Sequence, residues 1–169
     1  MVHKNKRGLS RIEFYHKGEQ LRTDLTKLTL RDFGIHSRGK KFKEDTGSQQ
    51  PEGYYDELIK YFSNNIWNLL SEMMWNISDG NEYPSNYDEL VIRREKQNNA
   101  IKACKKLFLE IQFCKNIMPV KASAFMPYIS KIDHEISLLK GWRKSNPKIA
   151  KRITAAENRK INGGVKEEK

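Results

Sequence analysis

Two pairs of side chains in this sequence have a spacing that could support acid–base chemistry. An arginine precedes a histidine with four residues between them at Arg11 and His16, and again at Arg31 and His36. A histidine in such a pair could act as a general acid or base in the cleavage of RNA. With ten arginines and four histidines, the number of such pairs expected by chance is roughly a quarter. Gly34 is also expected to end a helix inside the second pair.

Other catalytic and metal-binding patterns are missing from the sequence. It contains no glycine-rich phosphate loop, no G-x-S-x-G turn, no H-E-x-x-H and no C-x-x-C. The four histidines have no partner at metal-ligand spacing, so we expect neither a metal nor a cofactor. Cys104 and Cys114 fall in one predicted helix that separates them by roughly 15 Å, which is too far for a disulfide. His134 lies between two acidic residues on the polar edge of a helix, which favours a surface position.

The positive charge of the chain is concentrated at its two ends. The 169 residues include 32 Lys and Arg and 21 Asp and Glu, a formal net charge of +11. Residues 1–53 hold 12 basic and 7 acidic side chains and residues 140–169 hold 10 and 3, whereas residues 54–139 hold 10 and 11. Basic ends around a neutral body suit a polyanionic partner such as RNA or DNA. The alternative is that these charges only solvate the protein.

A set of candidate binding residues lies on a predicted helix between Tyr87 and Ile117. Its cations recur at helical spacing opposite the apolar face, over about 18 Å, a length that matches a few nucleotide phosphates. Three further cations follow near the end of the next helix. The predicted nucleic-acid-binding residues are Arg94, Lys102, Lys105, Lys106, Lys140, Arg143 and Lys144. The alternative interpretation is a solvated helix face without a ligand.

Four predicted helices position these residues, at 10–33, 54–77, 87–117 and 123–146. Short connections between the last three favour antiparallel neighbours, so the predicted fold class is all-α, an up-and-down antiparallel four-helix bundle. Residues 1–34 form the N-terminal helix of the bundle and residues 54–146 form its core helices. Residues 35–53 are predicted to be a flexible basic linker, and residues 147–169 a basic, disordered tail.

The ends of these helices carry start and stop signals. Ser10 and Glu13 have the spacing of a capping box, and Gly34 is a plausible left-handed stop. Pro127 is tolerated because the first turn of a helix does not need its N–H groups, and Pro147 is expected to stop the fourth helix.

The second predicted helix is apolar around roughly half of its circumference. A helix that packs on a single core usually has a narrower apolar stripe. The excess predicts self-association through Trp67, Leu70 and Met74. The alternative is that this helix lies at the centre of a monomer.

The sequence also bears on the location of the protein. No run approaches the roughly 18 to 20 apolar residues that a membrane helix needs, and the first ten residues, MVHKNKRGLS, lack the apolar stretch of a secretion signal. We therefore expect a soluble, cytoplasmic protein without a membrane partner.

Three segments resemble a known family. They are YYDELIKYFSNNIWNLLSEMM, RREKQNNAIKACKKLFLEIQ and PYISKIDHEISLLKGWRKSN, and the most distinctive piece runs from Ile132 to Ser145. Over roughly residues 9–146 the chain resembles the accessory variability determinant proteins, Avd, of diversity-generating retroelements. The resemblance implies a basic, non-catalytic four-helix bundle that forms a barrel-shaped homopentamer. It also implies two partners during mutagenic retrohoming, the reverse transcriptase of the element and its template-region RNA.

Two other groups of helical proteins offer alternatives. Bundle proteins encoded within ribosomal RNA insertions are similar in helical pattern and have no assigned role. The Arg-x4-His spacing is the motif of ribonucleases with the all-helical HEPN fold, which include proteins of toxin systems. In that family the pair belongs to a helix of the bundle, whereas here both pairs lie on the N-terminal segment.

Overall fold

The structure is a computed structural model that describes residues 12–35 and 54–164, and in these ranges it contains helices and no strand. The five α-helices are α1 (Glu13–Leu30), α2 (Tyr54–Gly80), α3 (Tyr87–Ile117), α4 (Met126–Arg143) and α5 (Asn146–Gly164). Short 3-10 helices occur at Asp32–Gly34 and Ala122–Ala124. The all-helical prediction is therefore confirmed for the described residues. None of the described helices is both long and apolar enough to pass through a lipid bilayer.

Helices α1 to α4 surround a shared apolar core. α2 packs against α1 and α3, and α4 packs against α3 and α1, so the four helices form a ring of contacts. Each helix buries the apolar stripe that its sequence predicts, for example through Leu21, Phe62, Leu107 and Ile132. Full burial of such a side chain contributes about 1.5–3 kcal/mol, which makes this core the main source of stability.

The wide apolar face of α2 is used inside the chain. Leu70 and Met74 are only 1% and 6% exposed, because α2 lies between α1 and α3. Met74 approaches α1 at Gly18, where an added Cβ would lie 3.0 Å from the Met74 sulfur. Leu70 and Met74 therefore offer little surface to another subunit, and their contact with one stays a prediction. Trp67 is partly exposed, and its indole N–H donates to the Thr29 hydroxyl at 2.9 Å.

The turn after α1 is tighter than its sequence indicates. Gly34 has a positive φ of 83°, which confirms the predicted stop, but Asp32 and Phe33 also have positive φ values of 50° and 54°. A left-handed conformation is costly for a side chain as large as Phe33. Here it turns the Phe33 ring into the core, where its centroid lies 6.4 Å from that of Phe125.

Two predictions about the N-terminal part fall outside the described residues. The structure begins α1 at Glu13, with no side-chain cap at Ile12, and the predicted cap Ser10 is not among the described residues. The predicted linker is likewise outside them, apart from Ile35, which packs against the core.

The C-terminal segment differs most from its prediction. Residues Asn146–Gly164 form α5, so the predicted disordered tail is wrong for residues 147–164. Pro147 does not stop α4, which ends at Arg143; it stands in the first turn of α5, where no internal hydrogen bond is lost. Ile149 and Ile153, four residues apart, are buried as α5 packs against α3. This burial compensates for the entropy of ordering the segment.

Candidate nucleic-acid interface

Three of the predicted cations lie on the outer face of α3. Arg94, Lys102 and Lys105 are exposed, opposite the buried side chains of Leu107 and Ile111. Among the described residues none of these three cations forms an ion pair. Their charges are therefore available to an external anion.

Two lysines outside the outer face of α3 have carboxylate partners. The Lys106 ammonium lies 3.7 Å from Glu72 of α2, so the structure directs this predicted binding residue away from the other three. Lys131 pairs with Asp24 at 2.5 Å. These two pairs neutralise part of the positive charge that lies off the outer face of α3.

The end of α4 adds the remaining predicted cations. The Arg143 guanidinium donates to the side-chain oxygen of Asn98 at 2.7 Å, and Asn98 lies one turn from both Arg94 and Lys102. Lys140 and Lys144 flank Arg143 and are exposed. The Arg143–Asn98 contact therefore joins the end of α4, with its three predicted cations, to the outer face of α3.

Helix α5 extends this surface with cations of the basic C-terminal segment that were not among the predicted binding residues. The Asn146 amide donates to the Gln97 side-chain oxygen at 2.7 Å, which fixes the start of α5 on α3. At 100° per residue, Lys148 and Lys151 lie on the side of α5 that faces away from its buried isoleucines. Arg152 lies on the flank of α5, where its guanidinium donates to the Tyr83 hydroxyl. The sequence does contain a signal for this helix: Ile149 and Ile153, four residues apart after Pro147, have the spacing of an amphipathic helix.

We call the assembled face the basic surface. It consists of the exposed cations of α3, the end of α4 and α5, namely Arg94, Lys102, Lys105, Lys140, Arg143, Lys144, Lys148, Lys151 and Arg152. Residues 140–160 contain eight basic side chains and a single acidic one, Glu157. A surface of this kind binds polyanions by neutralising phosphates and releasing their counterions.

A buried arginine supports the end of this surface. Arg93 donates to the backbone carbonyls of Gly80 and Glu82, both at 2.8 Å, and so ties the α2–α3 connection to α3. Its guanidinium lies 5.2 Å from the centre of the Trp142 ring, and burial lowers the pKa of Arg93. Trp142 is buried in the core, as its apolar spacing predicts, and stacks on Phe14 with ring centroids 4.4 Å apart.

Each candidate catalytic pair has one member outside the described residues. His16 and Arg31 are both exposed and stand at opposite ends of α1, roughly 22 Å apart along its axis. Arg11 and His36, their partners in the motif, lie outside the described residues. His134 is exposed on α4. The described part of the chain therefore contains no complete Arg-x4-His pair.

No described cluster of side chains has the composition of a metal site. Cys104 and Cys114 are free and buried. Burial raises the pKa of both thiols, that of Cys114 to about 12, so neither forms a thiolate near neutral pH.

Comparisons of this chain with protein-family models, with curated proteins and with solved structures found no match.

Proposed function

We propose that this protein is a non-catalytic RNA-binding protein and that the basic surface is its RNA contact. The observation that carries the proposal is the convergence of three chain segments. Exposed cations lie on α3, on the end of α4 and on α5, and the Arg143–Asn98 and Asn146–Gln97 hydrogen bonds join these three segments. A chain that only needed solubility could distribute these charges over all of its faces.

The more specific proposal is that the protein serves a diversity-generating retroelement. Its partners are then the reverse transcriptase of the element and the template-region RNA, and its location is the cytoplasm. The resemblance to Avd proteins supports this role, together with the helical fold and the basic surface. Part of the proposal is an up-and-down antiparallel bundle, an arrangement compatible with the Arg143–Asn98 contact and with the approach of Met74 to Gly18. A reverse transcriptase gene with template and variable repeats beside the coding gene would support this role, whereas a toxin or antitoxin gene would favour the HEPN alternative.

Self-association, with a homopentamer as the expected state, is a further part of the proposal. Trp67 and Trp75 lie eight residues apart on one side of α2, and Trp75 is 67% exposed. Beside Trp67 is a surface groove of about 330 Å³ between α1 and α2, lined by Arg22, Thr26, Leu30, Trp67, Leu70 and Ser71. Tryptophan is enriched at protein interfaces, and here one exposed tryptophan lines the groove while the other lies two turns further along α2. Sedimentation velocity at micromolar concentration should detect an oligomer, and a monomer at every concentration would contradict this part.

The RNA-binding proposal is tested by the salt dependence of RNA affinity. The triple change Lys102→Gln, Lys105→Gln and Lys148→Gln removes three cations of the basic surface. The logarithm of the binding constant should fall with the logarithm of the salt concentration, with a slope that becomes shallower by about 2, or 0.7 for each phosphate contact removed. Fluorescence anisotropy of a labelled RNA at four salt concentrations measures this slope.

A matched control removes the same charge from other faces of the bundle. Lys27 and Lys60 are exposed on α1 and α2, and Lys121 is exposed on the α3–α4 connection. None of these three forms an ion pair among the described residues, and their change to Gln should leave the slope almost unaltered. An equal effect of the two triple variants would show that RNA responds only to net charge. Absence of RNA binding by the unaltered protein at low salt would refute the proposed function itself.

A further inference from the structure

Two exposed tyrosines stand where the basic surface meets the α2–α3 connection. Tyr83 belongs to this connection and Tyr87 begins α3, and the side chains are 41% and 45% exposed. Neither ring is part of the core cluster that the four helices enclose. Contact between an aromatic ring and water is unfavourable. Two exposed rings beside a cationic surface therefore suggest a ligand that has an aromatic face.

Helix α5 holds both tyrosines by their hydroxyl groups. The Arg152 guanidinium donates to the Tyr83 hydroxyl at 3.0 Å, and the Tyr87 and Thr154 hydroxyls are hydrogen-bonded to each other. These bonds satisfy the polar end of each side chain and restrict its rotation. Little further ordering entropy is then lost when a ligand packs against the rings.

The backbone that carries Tyr83 is also fixed. Arg93 donates to the carbonyls of Gly80 and Glu82, on the N-terminal side of Tyr83, and Pro84 on the other side is buried. The Tyr83 ring therefore has a defined position relative to Arg152 and the other cations of α5.

Rigid aromatic rings beside cations match the chemistry of unpaired nucleobases. A base stacks on an aromatic side chain while neighbouring Lys and Arg neutralise the phosphates of its strand. Bases in a duplex are already stacked on one another and offer only their edges. We propose that Tyr83 and Tyr87 form a stacking platform, so that the basic surface binds single-stranded RNA in preference to duplex RNA. This inference depends on the proposed RNA-binding function.

The test compares two RNAs of equal length with the full-length protein. A labelled 12-nucleotide oligouridine and a labelled 12-base-pair RNA duplex are titrated by fluorescence anisotropy at three salt concentrations. The unaltered protein should bind the single strand more tightly than the duplex. The double change Tyr83→Ala and Tyr87→Ala should weaken single-strand binding by about tenfold, from the usual contribution of base–aromatic stacking. Duplex affinity and the salt slope should stay nearly constant, because the cations that contact phosphates remain.

Two further variants separate stacking from a purely structural role. Tyr83→Phe with Tyr87→Phe keeps the rings and removes the hydroxyl hydrogen bonds that order them, so the preference for the single strand should persist and fall by much less than in the Ala variant. Tyr61→Ala removes an equally exposed tyrosine from α2, outside the basic surface, and should change neither affinity. Circular dichroism and the thermal midpoint verify that each variant is folded.

The ways in which this test can fail have different meanings. Equal binding of both RNAs by the unaltered protein, or an equal loss of preference in the Phe and Ala variants, would overturn the stacking platform and leave the proposed function intact. If the unaltered protein binds neither RNA at low salt, the platform and the proposed function both fail.

Discussion

A carboxyl group in the middle of the bundle should make the stability of this protein depend on pH. Glu135 of α4 is fully buried, and within the described residues neither of its oxygens has a hydrogen-bond partner. Its surroundings include Gly18 of α1 and the Cys104 thiol of α3. Burial, and secondarily the negative charge of Glu13, raises the pKa of Glu135 from 4.5 to about 8.

The sign of the effect follows from which state binds the proton more tightly. At pH 7 the folded protein keeps Glu135 protonated, whereas the unfolded chain ionises it. The free energy of unfolding therefore decreases as the pH rises from 4.5 and levels off above about 8. At 1.36 kcal/mol for each pKa unit, the loss at pH 7 relative to pH 4 is about 3 kcal/mol.

The change Glu135→Gln tests this reasoning because glutamine has a similar shape and does not ionise. The variant should become more stable than the unaltered protein as the pH rises, with a difference that grows by about 3 kcal/mol between pH 5 and pH 8. Urea denaturation followed by circular dichroism at five pH values measures this difference. Glu95→Gln, a change at an exposed residue of α3, is the control and should add no pH dependence. A constant difference between Glu135→Gln and the unaltered protein across this range would refute the proposed protonation of Glu135.

Three other changes test the packing and the assembly. Gly80→Ala should lower the free energy of unfolding by about 1–3 kcal/mol in thermal melts, because the added Cβ would lie 2.9 Å from the Trp142 ring. Gly141→Ala is the control: nothing lies within 4 Å of its added Cβ, so the change should be neutral or stabilising. Ile153→Ala should detach α5, which hydrogen exchange would record as lost protection in α5 with the amides of α2 unchanged. Trp75→Glu should weaken the proposed oligomer in sedimentation velocity without changing the thermal midpoint of the bundle, and an unchanged oligomer would exclude this face as the interface.

The helices that build the core were the most predictable part of this protein. Periodic apolar residues identify α2 and α3 almost to their ends, because burial of a stripe is a local requirement that a sequence displays directly. The local sequence does not show which surface covers a wide apolar stripe. Leu70 and Met74 would look the same whether α1 or another subunit covered them, so only the folded arrangement could assign them to the core.

Buried polar groups left no signal in the sequence. Glu135 follows His134 in a helix whose other charged residues are on the surface, and alternation of charged residues cannot show which of them points inward. Arg93 is similarly adjacent to the exposed Arg94, although the two have opposite environments. A rotation of 100° between neighbours is enough to separate a structural arginine from a candidate ligand of RNA.

The basic surface shows why charge position was harder to predict than charge content. Pro147 was interpreted as a stop because proline is frequent after helix ends, but proline is equally favoured in the first turn of the next helix. The two interpretations imply different structures for the residues after the proline, and the pair Ile149 and Ile153 favours the second. Once α5 is a helix on α3, its cations occupy defined positions beside Arg94 and Arg143 and no longer belong to a tail. Arg152 then reaches the Tyr83 hydroxyl, a contact that no count of charges could anticipate. The affinity of this surface for RNA should therefore depend on the packing of Ile149 and Ile153 as much as on the number of lysines, because detachment of α5 would disperse the cations without removing any of them.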